Sequence, residues 1–220
     1  MIATTRIGGF TALAAGAADA PLVLVLHGFP DVPHTFAPLI EALARAGHRV
    51  VAPWLRGYAP SPTSGPYDAD TLAADVLAWA DALSPDRPVA LVGHDWGAVI
   101  TYVASARAPE RVRAAVAMSV PHPAAFIRAL ATPAQLARSW YMLAFQLPGA
   151  PGFAAAGEFA LIDRLWRAWS PGYQLPAALR RELHATLSAS WPAPLLYYRA
   201  MTRPLRPALE RLRRREIELS

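Results

Sequence analysis

Five residues, Gly93-His94-Asp95-Trp96-Gly97, constrain the fold of this chain more than any other stretch. They follow an apolar run, Val89-Ala90-Leu91-Val92, and lead into Ala98-Val99-Ile100-Thr101-Tyr102-Val103-Ala104. The reading is strand, sharp turn, helix. The spacing is that of the elbow G-x-S-x-G, with aspartate where serine would stand. Two glycines allow the tight turn and a close approach of strand and helix. The central side chain is thereby thrust out above a sheet. A carboxylate there suits attack on an alkyl carbon, which gives an ester.

The flanking sequence supplies the sheet. Residues 1–20 read as two short strands joined by Gly8-Gly9. Arg6 followed by an apolar stretch and Ala18-Asp19-Ala20 mimics a signal peptide. Gly8-Gly9 and Thr11 interrupt that stretch, so a cytoplasmic location is expected. Leu22-Val23-Leu24-Val25-Leu26 is continuous and apolar, as buried parallel strands are. It ends at His27-Gly28-Phe29-Pro30. Phe36, Leu39, Ile40 and Leu43 share one helix face, and Gly47 stops that helix. Arg49 to Trp54 gives another strand, and a Pro/Gly/Ser loop runs from Gly57 to Pro66. Asp70 is a candidate N-cap for a helix carrying Leu72, Val76, Trp79 and Leu83. Val112 to Ser119 is the last strand signal. Strands alternating with helices predict an α/β architecture, a mostly parallel sheet covered on both faces. Sites in such sheets lie beyond the carboxyl ends of the strands. His27, Arg56, Asp95 and Ser119 sit at such ends.

Helical patterns take over after Pro121: Ala124 to Leu147, Phe153 to Trp169 and Pro176 to Ser190. Hydrophobic residues make up 54% and charged residues 17%, which excludes a disordered chain. The absence of cysteine excludes disulfides and thiolate metal sites. The net charge of +5 is concentrated in residues 199–218, with seven arginines against Glu210, Glu216 and Glu218. A short basic terminus is a solvated helix face rather than a nucleic-acid surface, so no nucleic-acid partner is expected. No apolar run reaches the ~18 residues of a membrane span, so no membrane partner is expected. No nucleotide loop or metal-ligand spacing occurs, so no cofactor is expected.

His27-Gly28-Phe29-Pro30, Arg56-Gly57-Tyr58, the elbow and Pro121-His122-Pro123 together resemble the α/β-hydrolase superfamily. The likeness is to its aspartate-nucleophile branch, the epoxide hydrolases and haloalkane dehalogenases. It implies an α/β-hydrolase core over 1–122, a helical cap over 123–200 and a return segment over 201–220. It further implies that Asp95 is the nucleophile. The backbone N–H groups of Phe29 and Trp96 would form the oxyanion hole, and His27 would flank the site. Trp140 to Gly149 and Leu195 to Ala200 resemble the two tyrosine motifs of epoxide hydrolases. By that match, Tyr141 and Tyr198 hold and protonate the epoxide oxygen, with Tyr197 a competing hydroxyl. The implied substrates are a small apolar epoxide, or an alkyl halide, and water.

The same resemblance implies two further strands whose loops carry an acid and a water-activating histidine. No histidine follows His184, and neither group has a candidate where it is expected. The expectation is a core lacking its last strands, with impaired turnover. The strand at Val112 to Ser119 would then be an open edge inviting self-association. Two other readings stay open. A dehalogenase needs two N–H donors for the halide, such as Trp96 with Trp166 or Trp169. A non-catalytic protein would only bind or trap electrophiles. His27 and His94 read as structural hydrogen-bonders, His122 as part of the cap hinge, His184 as a cap residue, and His34 and His48 as surface residues.

Overall fold

The computed structural model describes residues 1–129 and 132–202. Nearly all of the 201–220 segment, and most of the basic terminus with it, lies outside those residues. β1 (Ala3–Ile7) and β2 (Phe10–Ala15) form an antiparallel hairpin through Gly8-Gly9. β3 (Leu22–Leu26), β4 (Arg49–Pro53), β5 (Val89–His94) and β6 (Val112–Met118) complete a six-stranded sheet in the order β1-β2-β4-β3-β5-β6. β3 pairs in parallel with β4 and β5, and β5 with β6, whereas β2 meets β4 antiparallel. Every residue of β3 is buried, as a strand covered on both faces requires.

α1 (Ala37–Arg45) follows a 3-10 turn at Pro33–Phe36, α2 spans Ala69–Leu83 and α3 spans Trp96–Arg107. The N-cap of α2 is Asp68, not Asp70: its carboxylate accepts the Thr71 N–H at 2.9 Å. Two aspartates stand two positions apart, and the one with extended backbone can reach back to the third N–H of the helix. Asp70 instead sits in the first turn.

β6 is the open edge expected at Val112 to Ser119. Four successive residues, Arg113 to Val116, are exposed, and Val116 keeps 51% of its surface in water. Among the described residues β6 is the edge of the sheet, and no strand follows it.

The helical half is more broken than its sequence pattern suggests. Ala124 to Leu147 holds three short helices, α4 (Pro123–Ala129), α5 (Pro133–Arg138) and α6 (Trp140–Ala144). Pro133 occupies the first turn of α5, and the Thr132 hydroxyl caps it. α7 (Ala150–Trp169) kinks where Gly157, Glu158 and Phe159 all take positive φ. α8 (Ala177–Ser190) and α9 (Ala193–Thr202) complete the described chain. No described helix is long and apolar enough to cross a membrane.

Candidate active site

The elbow fixes Asp95 through its backbone. Asp95 adopts φ 53° and ψ −117°, a strained geometry for a residue with a Cβ. Gly93 makes it possible, because a Cβ there would run into the backbone of Gly97 one helical turn away. Gly28 is equally constrained: a Cβ would strike the Asp95 carboxylate itself. The loop after β3 therefore lies directly against Asp95.

That contact sets the electrostatics. The Asp95 carboxylate accepts the Phe29 N–H at 2.7 Å and also the Trp96 N–H. Burial nevertheless dominates and pushes its pKa up to about 6, the two N–H groups pulling the other way. Asp95 lines a cavity of about 440 Å³ with Phe29, His94, Tyr141, Trp166 and Trp169.

The two helical motifs converge on this point. The Tyr141 and Tyr198 rings pack edge to face, 5.7 Å apart, and Tyr198 also packs against Phe29 and Trp96. Tyr141 lines the cavity, and burial raises its pKa to about 12. Tyr198 is buried and its pKa is raised well above the usual phenol value, first by burial and then by the Asp95 charge. Its hydroxyl has no hydrogen-bond partner of regular geometry, the Tyr141 hydroxyl and the Trp96 side chain being nearest. Tyr197 is different: its hydroxyl donates to the Arg56 carbonyl and its ring stacks on Tyr67 at 5.7 Å. It belongs to a structural layer that Arg56 completes through a two-point pair with Asp75 at 2.7 and 2.8 Å.

The histidines divide by role. His27 is fully buried: its Nε2 accepts the Leu55 N–H at 3.1 Å, leaving Nδ1–H to donate to the Gly28 carbonyl at 3.0 Å. Burial lowers its pKa to about 4. It holds the loop under Phe29 and does not line the cavity. His122 accepts the Ala124 N–H and packs on Tyr102 at the entry to α4. His184 pairs with Asp163 at 2.9 Å, but opens onto a second cavity in the helical half, away from Asp95. His34 sits against Trp54 and faces Glu182 at 3.7 Å. Ser119 lines the cavity with φ 67°.

Among the cavity residues not singled out by sequence, two are charged. Asp31 is buried beside the cavity, its Oδ1 accepting from the Val32 N–H at 2.8 Å and from the Thr35 hydroxyl. Burial raises its pKa to about 7 against the pull of those donors. The His94 ring lies 3.9 Å away, too far for a hydrogen bond. Arg138, exposed on α5, also lines the cavity. The signal for Asp31 was its place directly after Pro30; Arg138 carried no motif.

A parallel sheet whose strand–helix elbow holds a carboxylate against two backbone N–H groups defines a class. The chain belongs to the α/β-hydrolase family: the model of the alpha/beta hydrolase fold matches residues 21–170. Among curated relatives it is similar to epoxide hydrolase A of Mycobacterium tuberculosis, 42% identical over 146 residues that cover 61% of this chain and 44% of that protein. It is also similar to epoxide hydrolase 4 of Mus musculus, 34% identical over 74% of this chain and 46% of that protein. The matched part thus spans about half the length of these relatives or less. Among solved structures, an epoxide hydrolase of Bacillus megaterium in complex with an inhibitor superposes with a TM-score of 0.79 and 29% identity, covering 90% of this chain and 71% of that one.

Proposed function

We propose that the site opens epoxides. An Asp95 carboxylate oxygen attacks an oxirane carbon, and the C–O bond on its far side breaks. The departing oxygen takes a proton from Tyr141 or Tyr198, leaving a hydroxyalkyl ester on Asp95. A strained ether leaves poorly until it is protonated, which is why two positioned phenols suit this substrate. In the second step water attacks the ester carbonyl and releases a vicinal diol. The Phe29 and Trp96 N–H groups, which already hold the Asp95 carboxyl, would stabilise the tetrahedral oxyanion.

The observation that carries this reading is convergence. Asp95 and Tyr141 face one cavity, with Tyr198 beside them, although they lie far apart in sequence. The dehalogenase reading is narrowed, because the Trp166 indole N–H is committed to the Pro30 carbonyl at 2.8 Å, which leaves Trp169 as the partner for Trp96. His94 lines the cavity with Asp95, but its Nδ1 has no hydrogen-bond partner, the Asp31 carboxylate lying 3.9 Å away. We therefore expect the alkylation step to run and the hydrolytic step to be slow, since a missing general base costs about 10²–10⁴-fold.

Incubation of the 220-residue chain with styrene oxide should give a persistent single adduct by intact-protein mass spectrometry. Asp95→Asn should give none. Its rate should rise with pH through about 6 as Asp95 ionises, and then level off. Rapid multiple turnover would reject the slow second step, and an unlabelled wild-type chain would reject the nucleophile.

A further inference from the structure

The cavity over Asp95 is lined by groups of unlike charge. Asp95 and Asp31 both line it, and burial raises the pKa of each, to about 6 and about 7. α5 adds Gln135 and the exposed Arg138, one helical turn apart. The Gln135 amide is occupied, donating to Ser139 Oγ at 2.9 Å. Arg138 has no ion-pair partner among the described residues, and it is the one arginine lining this cavity. The cavity also has aromatic lining, with Tyr141 and Trp169 packed 4.8 Å apart and Trp166 contributing as well. A basic residue in the last turn of a helix also suits the helix dipole, but that role does not require the side chain to line a cavity.

A guanidinium recognises a carboxylate through two parallel N–H bonds. An anion beside Asp95 would meet two carboxyls, whereas beside Arg138 it would meet an unpaired cation. We propose that Arg138 is a specificity-determining residue that holds a carboxylate on an aromatic epoxide. The ring then lies along the aromatic wall and the uncharged oxirane faces Asp95. This inference rests on the reading of the site as epoxide-opening, and it names the substrate class of that site.

The test separates the two claims by measuring binding apart from chemistry. The probes are 1-phenyl-1,2-ethanediol and its 4-carboxy analogue, titrated against the 220-residue chain by tryptophan fluorescence, to which Trp166 and Trp169 contribute. The carboxylated diol should bind about five- to tenfold tighter, the range of a partly solvated charge-assisted pair. Arg138→Gln should bring the two affinities together, and Arg138→Lys should keep part of the preference. Raising salt to about 0.5 M should narrow the wild-type difference, as screening of a partly exposed pair requires. Equal affinities in the wild type, no binding of the carboxylated diol, or a preference untouched by Arg138→Gln would each overturn the proposal. Adduct formation from the matching epoxides reads the other claim. A retained diol preference without adducts sinks the Asp95 chemistry and leaves Arg138 standing. Adducts at equal rates, with no diol preference, do the reverse.

Discussion

The strand half and the helical half position their reactive groups by different means. In residues 1–120 the backbone does it. Asp95 is fixed by a strained φ, a glycine on either side and two N–H donors. In residues 121–202 side-chain packing does it. Tyr198 is held by the rings of Phe29, Trp96, Tyr141 and Phe145, at 5.2 to 5.7 Å, with no regular hydrogen bond to its hydroxyl. The surface of the helical half is also less covered, with Leu143 and Phe153 retaining 68% and 69% of their exposure. A carboxylate set by backbone geometry is intolerant of change. Phenols set by packing can lose a hydroxyl without disturbing the fold.

The hardest test of that contrast is Gly93→Ala. The added Cβ meets Gly97 backbone and the Thr101 hydroxyl at 2.5 Å, and neither the strand nor the helix can move away alone. Overpacking of this kind should cost about 3 kcal/mol or more, measured by urea unfolding. An unchanged midpoint would mean the elbow is looser than its geometry states.

The two neighbouring tyrosines sharpen the comparison at the next level. Tyr198→Phe should slow adduct formation with styrene oxide by about 10²-fold and leave stability unchanged, because its hydroxyl has no regular partner to lose. Tyr197→Phe should do the opposite. It removes the bond to the Arg56 carbonyl, costs about 1 kcal/mol and leaves the adduct rate near wild type. If both variants slow alkylation equally, the structural and chemical layers are not separate.

Titration gives a third test, confined to the strand half. Asp31 has a folded pKa raised to about 7 by burial. Folding therefore favours its protonated form, a contribution present below about pH 4 and lost as pH rises through 7. An asparagine would stay neutral throughout while its oxygen kept the Val32 and Thr35 bonds. Asp31→Asn should thus be more stable than wild type at pH 8, by up to a few kcal/mol, and nearly equal at pH 4. Comparing the variant with wild type at each pH cancels the opposing contribution of His27, whose lowered pKa costs stability as pH falls. A pH-independent difference would show that Asp31 is already solvated.

The strand half was legible because its signals are local. Period, glycine spacing and the continuous apolar run of β3 each dictate backbone geometry within a few residues. The single slip, Asp70 for Asp68 as N-cap, arose where two equivalent residues compete over one turn. The helical half was read less well. A 3.6-residue pattern persists across Ser139, where the helix breaks into α5 and α6, because packing rather than propensity decides that break. Nothing local distinguishes Tyr197 from Tyr198; only the Arg56 carbonyl, 141 residues away, does so. Asp31 and Arg138 were silent for the same reason. Their importance comes from a cavity that exists only once the two halves meet.

The smallest expected effect probes the helical half by the same substitution as the largest. Gly152 lies in the first turn of α7, exposed, without a left-handed φ and with nothing near its missing Cβ. Alanine there can take the native conformation without strain and narrows the choices open to the unfolded chain. It also improves helix propensity, though less at the first turn than in a helix interior. Gly152→Ala should therefore stabilise by about 0.5 kcal/mol, a rise of roughly 1–2 °C in a thermal melt. The positive-φ kink at Gly157 to Phe159 lies beyond the substituted turn and should not change the sign. One methyl group would then cost several kcal/mol beside Asp95 and stabilise the fold slightly in α7. A loss of stability from Gly152→Ala would show that the helical half constrains its backbone as tightly as the elbow does, and the contrast between the halves would fall.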